Sequence, residues 1–184
     1  METLKVREAL KRLVTDSIHK GPVTLASGKI SDFYIDGRLV TLSADGLQLT
    51  AVLMADMLGD LDFDAVGGPT MGADPIIGAL LYHYWSTAKR PVGGFIIRKE
   101  AKAHGMQKMI EGPELPDDPR VVLVEDVVTS GGSVLKAAKA VEAAGAEVVK
   151  ILAVVDREEG AQETLTGAGY DFAAIFTKTE LIGL

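Results

Sequence analysis

Cysteine is missing from all 184 residues. Disulfides and thiolate metal sites are therefore excluded, and a reducing cytoplasm is the natural setting. An excess of positive charge is missing too. Lys and Arg number 19 against 26 Asp and Glu, a net charge of −7, which argues against general binding to nucleic acid or anionic membrane. No apolar stretch approaches the roughly 18 residues of a membrane span. The opening METLKVREALKRLVTDS is charged throughout, where a secretory leader needs an apolar centre. Two nucleotide signatures are also lacking. No Gly-Lys-Ser/Thr follows the glycines, as a Walker A loop requires. GGPTMG, from Gly67 to Gly72, puts a proline where a dinucleotide fingerprint needs its turn.

What is present is ordinary globular composition, 47% hydrophobic and 24% charged, on a chain long enough for one domain with a substantial core. Leu4, Leu10, Leu13, Val14 and Ile18 lie near helical spacing, so an amphipathic helix is expected over 3–20, stopping at Gly21-Pro22. An extended Phe33-Tyr34-Ile35 follows, then a helix from Ala44 to Leu58 and a short strand FDAVGG. GGPTMGADP reads as a glycine-rich loop after that strand, with the next helix from Pro75 to Trp85. VGGFIIR is a further strand before a polar segment from Lys99 to Pro119. Strand, loop and helix come again in VVLVEDVVTSGGSVLKAAKAVEAAGAEVV, Val121 to Val149. A long aliphatic strand EVVKILAVVDR, a short helix and the strand DFAAIFT finish the chain. Strands alternating with helices imply an α/β fold, a mostly parallel sheet covered on both faces.

Ligands of such sheets bind beyond the carboxyl ends of the strands. Three segments share that end: the 67–75 loop, the 125–133 loop and the Asp156-Arg157 corner. In the second, Thr129, Ser130, Gly131, Gly132 and Ser133 stand just before a helix, whose first N–H groups lack intrahelical partners. Those donors and small hydroxyls form a cradle for a phosphate. Glu125 and Asp126 would repel that anion, yet they suit a ligand that also carries a sugar diol, and an acid pair can hold a divalent metal. A sugar phosphate satisfies both halves of the pattern. The bland alternative is a serine-capped helix after a buried strand. Arg157 directly follows the strand and could fork onto a small carboxylate; its alternative is a salt bridge to Asp156 or Glu158. Trp85, within LYHYW, fits either a subunit face or the core.

VVLVEDVVTSGGS resembles the phosphoribosyl-pyrophosphate (PRPP) motif of the type I phosphoribosyltransferases. RKEAKAHG, from Arg98 to Gly105, is similar to the R-K-x-x-K-x-H-G signature of the orotate phosphoribosyltransferases. TLASGKISDFYID and GGPTMGADP match further segments of that family in outline. The resemblance implies a type I phosphoribosyltransferase fold over residues 1–184. A small hood would come from about residues 1–40 and the C-terminal end, with a mobile lid at about 99–112. It implies transfer of the 5-phosphoribosyl group from PRPP to orotate in pyrimidine (UMP) biosynthesis, with Mg2+ as cofactor. A homodimer would share the lid between subunits. PRPP would be bound by Arg98, Lys99, Lys102, His104, Glu125, Asp126, Val127, Val128 and the Thr129–Ser133 loop, with Lys102, Asp126 and His104 catalytic. Thr129 and Arg157 would contact orotate, near the backbone of Tyr34-Ile35. Ala26 stands where many members of that family carry a lysine and Gly72 where some carry a second, with Lys29 the candidate substitute for the first. A purine or uracil enzyme of the same fold, and a PRPP-sensing regulator, are the competing readings.

Overall fold

The aliphatic runs become the middle of a six-stranded sheet, in the computed structural model that describes residues 2–24, 30–98 and 109–183. In chain order the elements begin with α1 (Glu2–Asp16), β1 (Ile18–Thr24), β2 (Ile30–Ile35), α2 (Arg38–Thr41) and α3 (Ala44–Leu58). Next come β3 (Ala65–Pro69), α4 (Ala73–Ala88), β4 (Gly93–Ile97), β5 (Ile110–Glu111) and β6 (Arg120–Val128). The chain finishes with α5 (Gly132–Glu142), β7 (Glu147–Asp156), α6 (Ala161–Gly167), β8 (Phe172–Thr177) and α7 (Lys178–Ile182). The main sheet runs β5-β4-β3-β6-β7-β8 and is parallel except at β5, while β1 and β2 pair antiparallel as a separate ribbon.

Both faces of the sheet are covered, as a parallel sheet requires. Successive residues of a strand point to opposite faces, so Val122 and Val124 join the core with Met54, Ile76 and Leu80, while Val121 and Leu123 join Val134, Ala138 and Leu165. Beyond Val124 the strand runs on to the open end of the sheet with its register to β7 unbroken, Glu125 opposite Ala153 and Val128 opposite Asp156.

Four expectations change. α1 ends at Asp16, and Gly21-Pro22 lies inside β1. Pairing with β2 sustains the strand there, with a register shift between Lys20 and Val23 and Gly21 at φ +122, the bulge geometry that accommodates glycine and proline in a ribbon. Gly67 and Gly68, read both as the end of strand FDAVGG and as the start of the loop, are buried strand residues of β3. A Cβ on Gly68 would stand 2.2 Å from the Val124 carbonyl oxygen, and one on Gly67 would stand 2.2 Å from the Phe95 ring. Close approach, not flexibility, requires glycine at both positions. The turn shrinks to residues 70–72, and α4 starts at Ala73 and runs to Ala88. The chain ends on α7, whose N-cap Thr177 accepts from the Glu180 N–H, a Thr-x-x-Glu start that the sequence carries openly. Within LYHYW, Tyr84 is buried against Phe63 while Tyr82 and Trp85 are exposed.

Candidate active site

Beyond the carboxyl ends of β3, β6 and β7 lies a cleft of about 310 Å³. Its lining includes Tyr34, Asp36, Arg38, Gly72, Glu125, Asp126, Thr129, Ser133 and Arg157. Three segments far apart in sequence thus meet, with the turn after β2 as a fourth wall.

The acid pair is mounted rigidly. Glu125 is buried, and the Val127 N–H donates to Asp126 Oδ1 at 2.8 Å. Two glycines bracket the Asp126 carboxylate. A Cβ on Gly72 would stand 2.4 Å from Oδ1, and one on Gly37 would stand 2.7 Å from Oδ2. The Gly72 position would also meet Glu125 Oε1 at 2.3 Å. Any side chain at 72 would therefore require the Glu125 and Asp126 carboxylates to shift.

Two helix starts face the same cleft. The N-cap residues of α4 and α5 are Gly72 and Gly131, neither of which offers a side-chain acceptor. By contrast, Ser43 caps α3 and Thr177 caps α7 through side-chain oxygens. The serine-capped alternative for the 125–133 loop is therefore set aside. Gly131 takes φ +79, a left-handed turn that favours glycine, and directs the chain from β6 into α5. The first-turn N–H groups and positive dipole end of α5 sit beside the Thr129 and Ser133 lining, the arrangement that binds phosphate. Ser130, Gly131 and Gly132 continue this loop. Val128 is buried, its carbonyl accepting the Arg157 N–H at 2.9 Å.

Arg157 is buried at the cleft wall. Its Nη2 donates to the Phe33 carbonyl at 3.0 Å and lies 2.7 Å from Glu159 Oε1, with the guanidinium over the Phe33 ring. Its acidic neighbour is therefore Glu159, not Asp156 or Glu158. Glu158 takes φ +54 and accepts from the Thr179 N–H at 2.6 Å, which holds its carboxyl below the ordinary range. Asp156 accepts from the Glu158 N–H, yet burial still pushes its carboxyl up.

Arg98 lies in an adjoining recess with Ile97, Met109 and Lys136, which shares Pro69 and Ser133 with the main cleft. Its Nε sits 3.1 Å from Glu111, at the base of the β4–β5 pair. Lys99, Lys102 and His104 lie outside the described residues, as do Ala26 and Lys29. Among the described residues no group of three or more His, Cys, Asp and Glu could hold a metal ion.

Sequence reasoning missed Asp36, Gly37 and Arg38. The Arg38 guanidinium forks onto Asp36, Nε to Oδ1 at 2.8 Å and Nη2 to Oδ2 at 3.0 Å, and lowers the Asp36 carboxyl below its ordinary value. The signal was the run Ile35-Asp36-Gly37-Arg38, an acid, a glycine and a base directly after a strand. Glu159 was missed as well.

Residues 46–168 match the phosphoribosyl transferase domain model. The chain is 46% identical to orotate phosphoribosyltransferase of Streptomyces avermitilis, over 96% of this chain and 97% of that protein. It is 41% identical to the Corynebacterium glutamicum strain R enzyme of the same name, over 97% and 95%. Among solved structures, Mycobacterium tuberculosis orotate phosphoribosyltransferase in complex with PRPP superposes with a TM-score of 0.80 at 36% identity, covering 97% of this chain and 99% of that one. An adenine phosphoribosyltransferase from Thermoanaerobacter pseudethanolicus shares the fold, with a TM-score of 0.67 at 19% identity. With its acid pair, glycine-capped helix starts and buried arginine around one cleft, the chain belongs to the type I phosphoribosyltransferases, and within them to the orotate phosphoribosyltransferases.

Proposed function

We propose that this chain joins orotate to the ribose of PRPP, releasing diphosphate and forming orotidine 5′-monophosphate. The observation that carries the reading is that Glu125 and Asp126 line one cleft together with Arg157 and the start of α5. Carboxylates accept from the ribose hydroxyls, and the Thr129–Ser133 loop with the α5 N-terminus receives the 5-phosphate. Arg157, with Thr129 beside it, meets the orotate carboxylate, and the backbone near Tyr34-Ile35 covers the base.

The bond to diphosphate breaks ahead of bond formation to the base nitrogen, leaving positive character on the ribose. The chief demand on the protein is then to stabilise charge growing on the diphosphate. Arg98, beside Glu111, supplies one cation, and Lys99, Lys102 and His104 supply further cations and donors from a lid that ends before β5, since Ile110 and Glu111 pair with β4. Lid closure keeps water from the electrophilic ribose. No group of His, Cys, Asp and Glu among the described residues could by itself hold a metal ion, so Mg2+ would bind diphosphate oxygens together with ribose hydroxyls, with protein ligands optional. That ion would neutralise part of the diphosphate charge.

The β1–β2 ribbon and the C-terminal α7 act as the hood of the site. In a homodimer the lid would be shared between subunits, and exposed Leu39, Leu42, Tyr82 and Trp85 are side chains such an interface could cover. No described helix is long and apolar enough to cross a membrane, and the absence of cysteine supports a cytoplasmic setting.

The test is loss of orotate absorbance with PRPP and magnesium, beside parallel reactions with hypoxanthine, adenine and uracil. Turnover of orotate alone is expected, reduced about 100-fold or more by Lys102→Ala. Turnover of another base would overturn the role of Arg157. PRPP binding without turnover of any base would make the protein a sensor.

A further inference from the structure

The charged groups described around the cleft do not match the charge of its substrate. Asp36, Glu125 and Asp126 stand against Arg38 and Arg157, three acids to two bases. Arg157 is buried over the Phe33 ring and is assigned above to the orotate carboxylate. Position 72, next to the acids, is a glycine and supplies no cation. An anionic diphosphate lying against the 69–72 turn would meet carboxylates first, unless a cation stands across from that turn.

Arg38 stands there. Gly37 packs on Asp126 Oδ2 from the side opposite Gly72, which packs on Oδ1. Arg38, the next residue, lines the same cleft within the electrostatic reach of Asp126. Its side chain is 44% exposed, so it is open to a ligand. It is also pre-oriented: the Asp36 carboxylate accepts from Nε and Nη2, and Asp36 Oδ1 accepts from the Arg38 backbone N–H at 3.1 Å. A guanidinium held in a fork by one carboxylate presents the geometry that a phosphate group can take over.

Resting on the PRPP reading above, we propose that Arg38 is a diphosphate-binding residue, held ready by Asp36 and transferred to the diphosphate oxygens when substrate enters. It compensates within this chain for the cations missing at Ala26 and Gly72. The Asp36-Gly37-Arg38 turn thus has two functions. Gly37 allows the turn to touch the ribose-binding acid, and Arg38 offsets that acid's repulsion of the leaving group.

The test is calorimetric titration of wild type, Arg38→Ala and Arg38→Lys with PRPP, inorganic diphosphate and ribose 5-phosphate, all with magnesium. Arg38 is exposed at the first position of a short helix, so the fold does not depend on it, and melting temperatures will check this. The expected result is about tenfold or more weaker binding of PRPP and diphosphate by Arg38→Ala, with ribose 5-phosphate within about twofold. Arg38→Lys should recover part of the loss, since it keeps the charge but not the fork. Unchanged PRPP and diphosphate affinity would overturn the assignment, as would an equal loss for ribose 5-phosphate. A wild type that binds PRPP while Arg38→Ala is unaffected overturns this assignment alone. A wild type that binds none of the three ligands overturns the proposed function with it.

Discussion

Gly37→Ala separates the site from the fold. Gly37 has φ −57 and ψ −24, an ordinary right-handed conformation that alanine adopts freely. By restricting the unfolded chain the substitution would stabilise by about 0.4–1 kcal/mol if nothing else changed. The added Cβ, however, would stand 2.7 Å from Asp126 Oδ2 and 2.9 Å from its Cγ. Relief to the 3.4 Å of an ordinary contact requires a shift of roughly 0.7 Å, by the turn or by the carboxylate. The carboxylate is pinned on its other oxygen by the Val127 N–H at 2.8 Å, so it moves only by giving up that bond. A displacement of this size stretches a hydrogen bond to the ribose beyond useful length. Each bond to a charged acceptor contributes about 1.5–3 kcal/mol, so PRPP and ribose 5-phosphate should both bind about 10–100-fold more weakly. Calorimetric titration measures this, and the melting temperature should stay within a few degrees. Affinities within about threefold of wild type for both ligands, with the fold intact, would refute the claim that Asp126 holds the ribose. The pattern contrasts with Arg38→Ala one residue later, which should spare ribose 5-phosphate.

Arg157→Lys keeps a charge but loses the planar fork and its stacking on Phe33, so KM for orotate should rise about tenfold or more while KM for PRPP holds; initial-rate measurements decide, and a rise confined to PRPP would refute the orotate role. On the far side of the fold, the Arg7 guanidinium donates to both Glu180 oxygens and ties α1 to α7, holding the Glu180 carboxyl below its ordinary 4.5. A depressed carboxylate stabilises the fold above its unfolded value, and that stability is lost as pH falls through the lower folded value. Glu180→Gln should therefore cost about 1 kcal/mol at neutral pH, a modest figure because both side chains remain about one-third exposed, and nothing in strong acid. Denaturant melts at both pH values check the sign; an equal cost at both would show that packing, not charge, holds the helix.

Elements governed by neighbours in sequence were legible without coordinates. The helix from Ala44 to Leu58 begins after Ser43, whose oxygen accepts from the Gly46 N–H, and it runs over the residues its pattern marks. Strand β6, its loop and α5 follow their pattern as closely, because a run of aliphatics, an acid pair and a small-residue turn each impose a local conformation. Gly21-Pro22 misled for the complementary reason. The pair reads as a stop, but β2 lies alongside and its hydrogen bonds continue the strand through it. Gly67 and Gly68 read as strand end and loop alike because the Phe95 ring and the Val124 carbonyl that demand small residues come from other strands.

The chemistry divides in the same way. The local order of residues alone placed the acid pair, the Thr129–Ser133 loop and Arg157 at one end of a parallel sheet, since each sits at or directly after a strand end. Which distant residues join them depended on the tertiary structure. The contact of Gly37 with Asp126 spans the sequence, and it exists only because the β1–β2 ribbon brings the following turn over the end of β6. Glu159, rather than an acid nearer in sequence, meets Arg157 because Glu158 turns left-handed and commits its own carboxylate to α7. Short-range sterics and hydrogen bonding set the strand–loop–helix units. Sheet order sets which of their side chains share a cleft, because long-range packing alone decides which strand ends lie side by side.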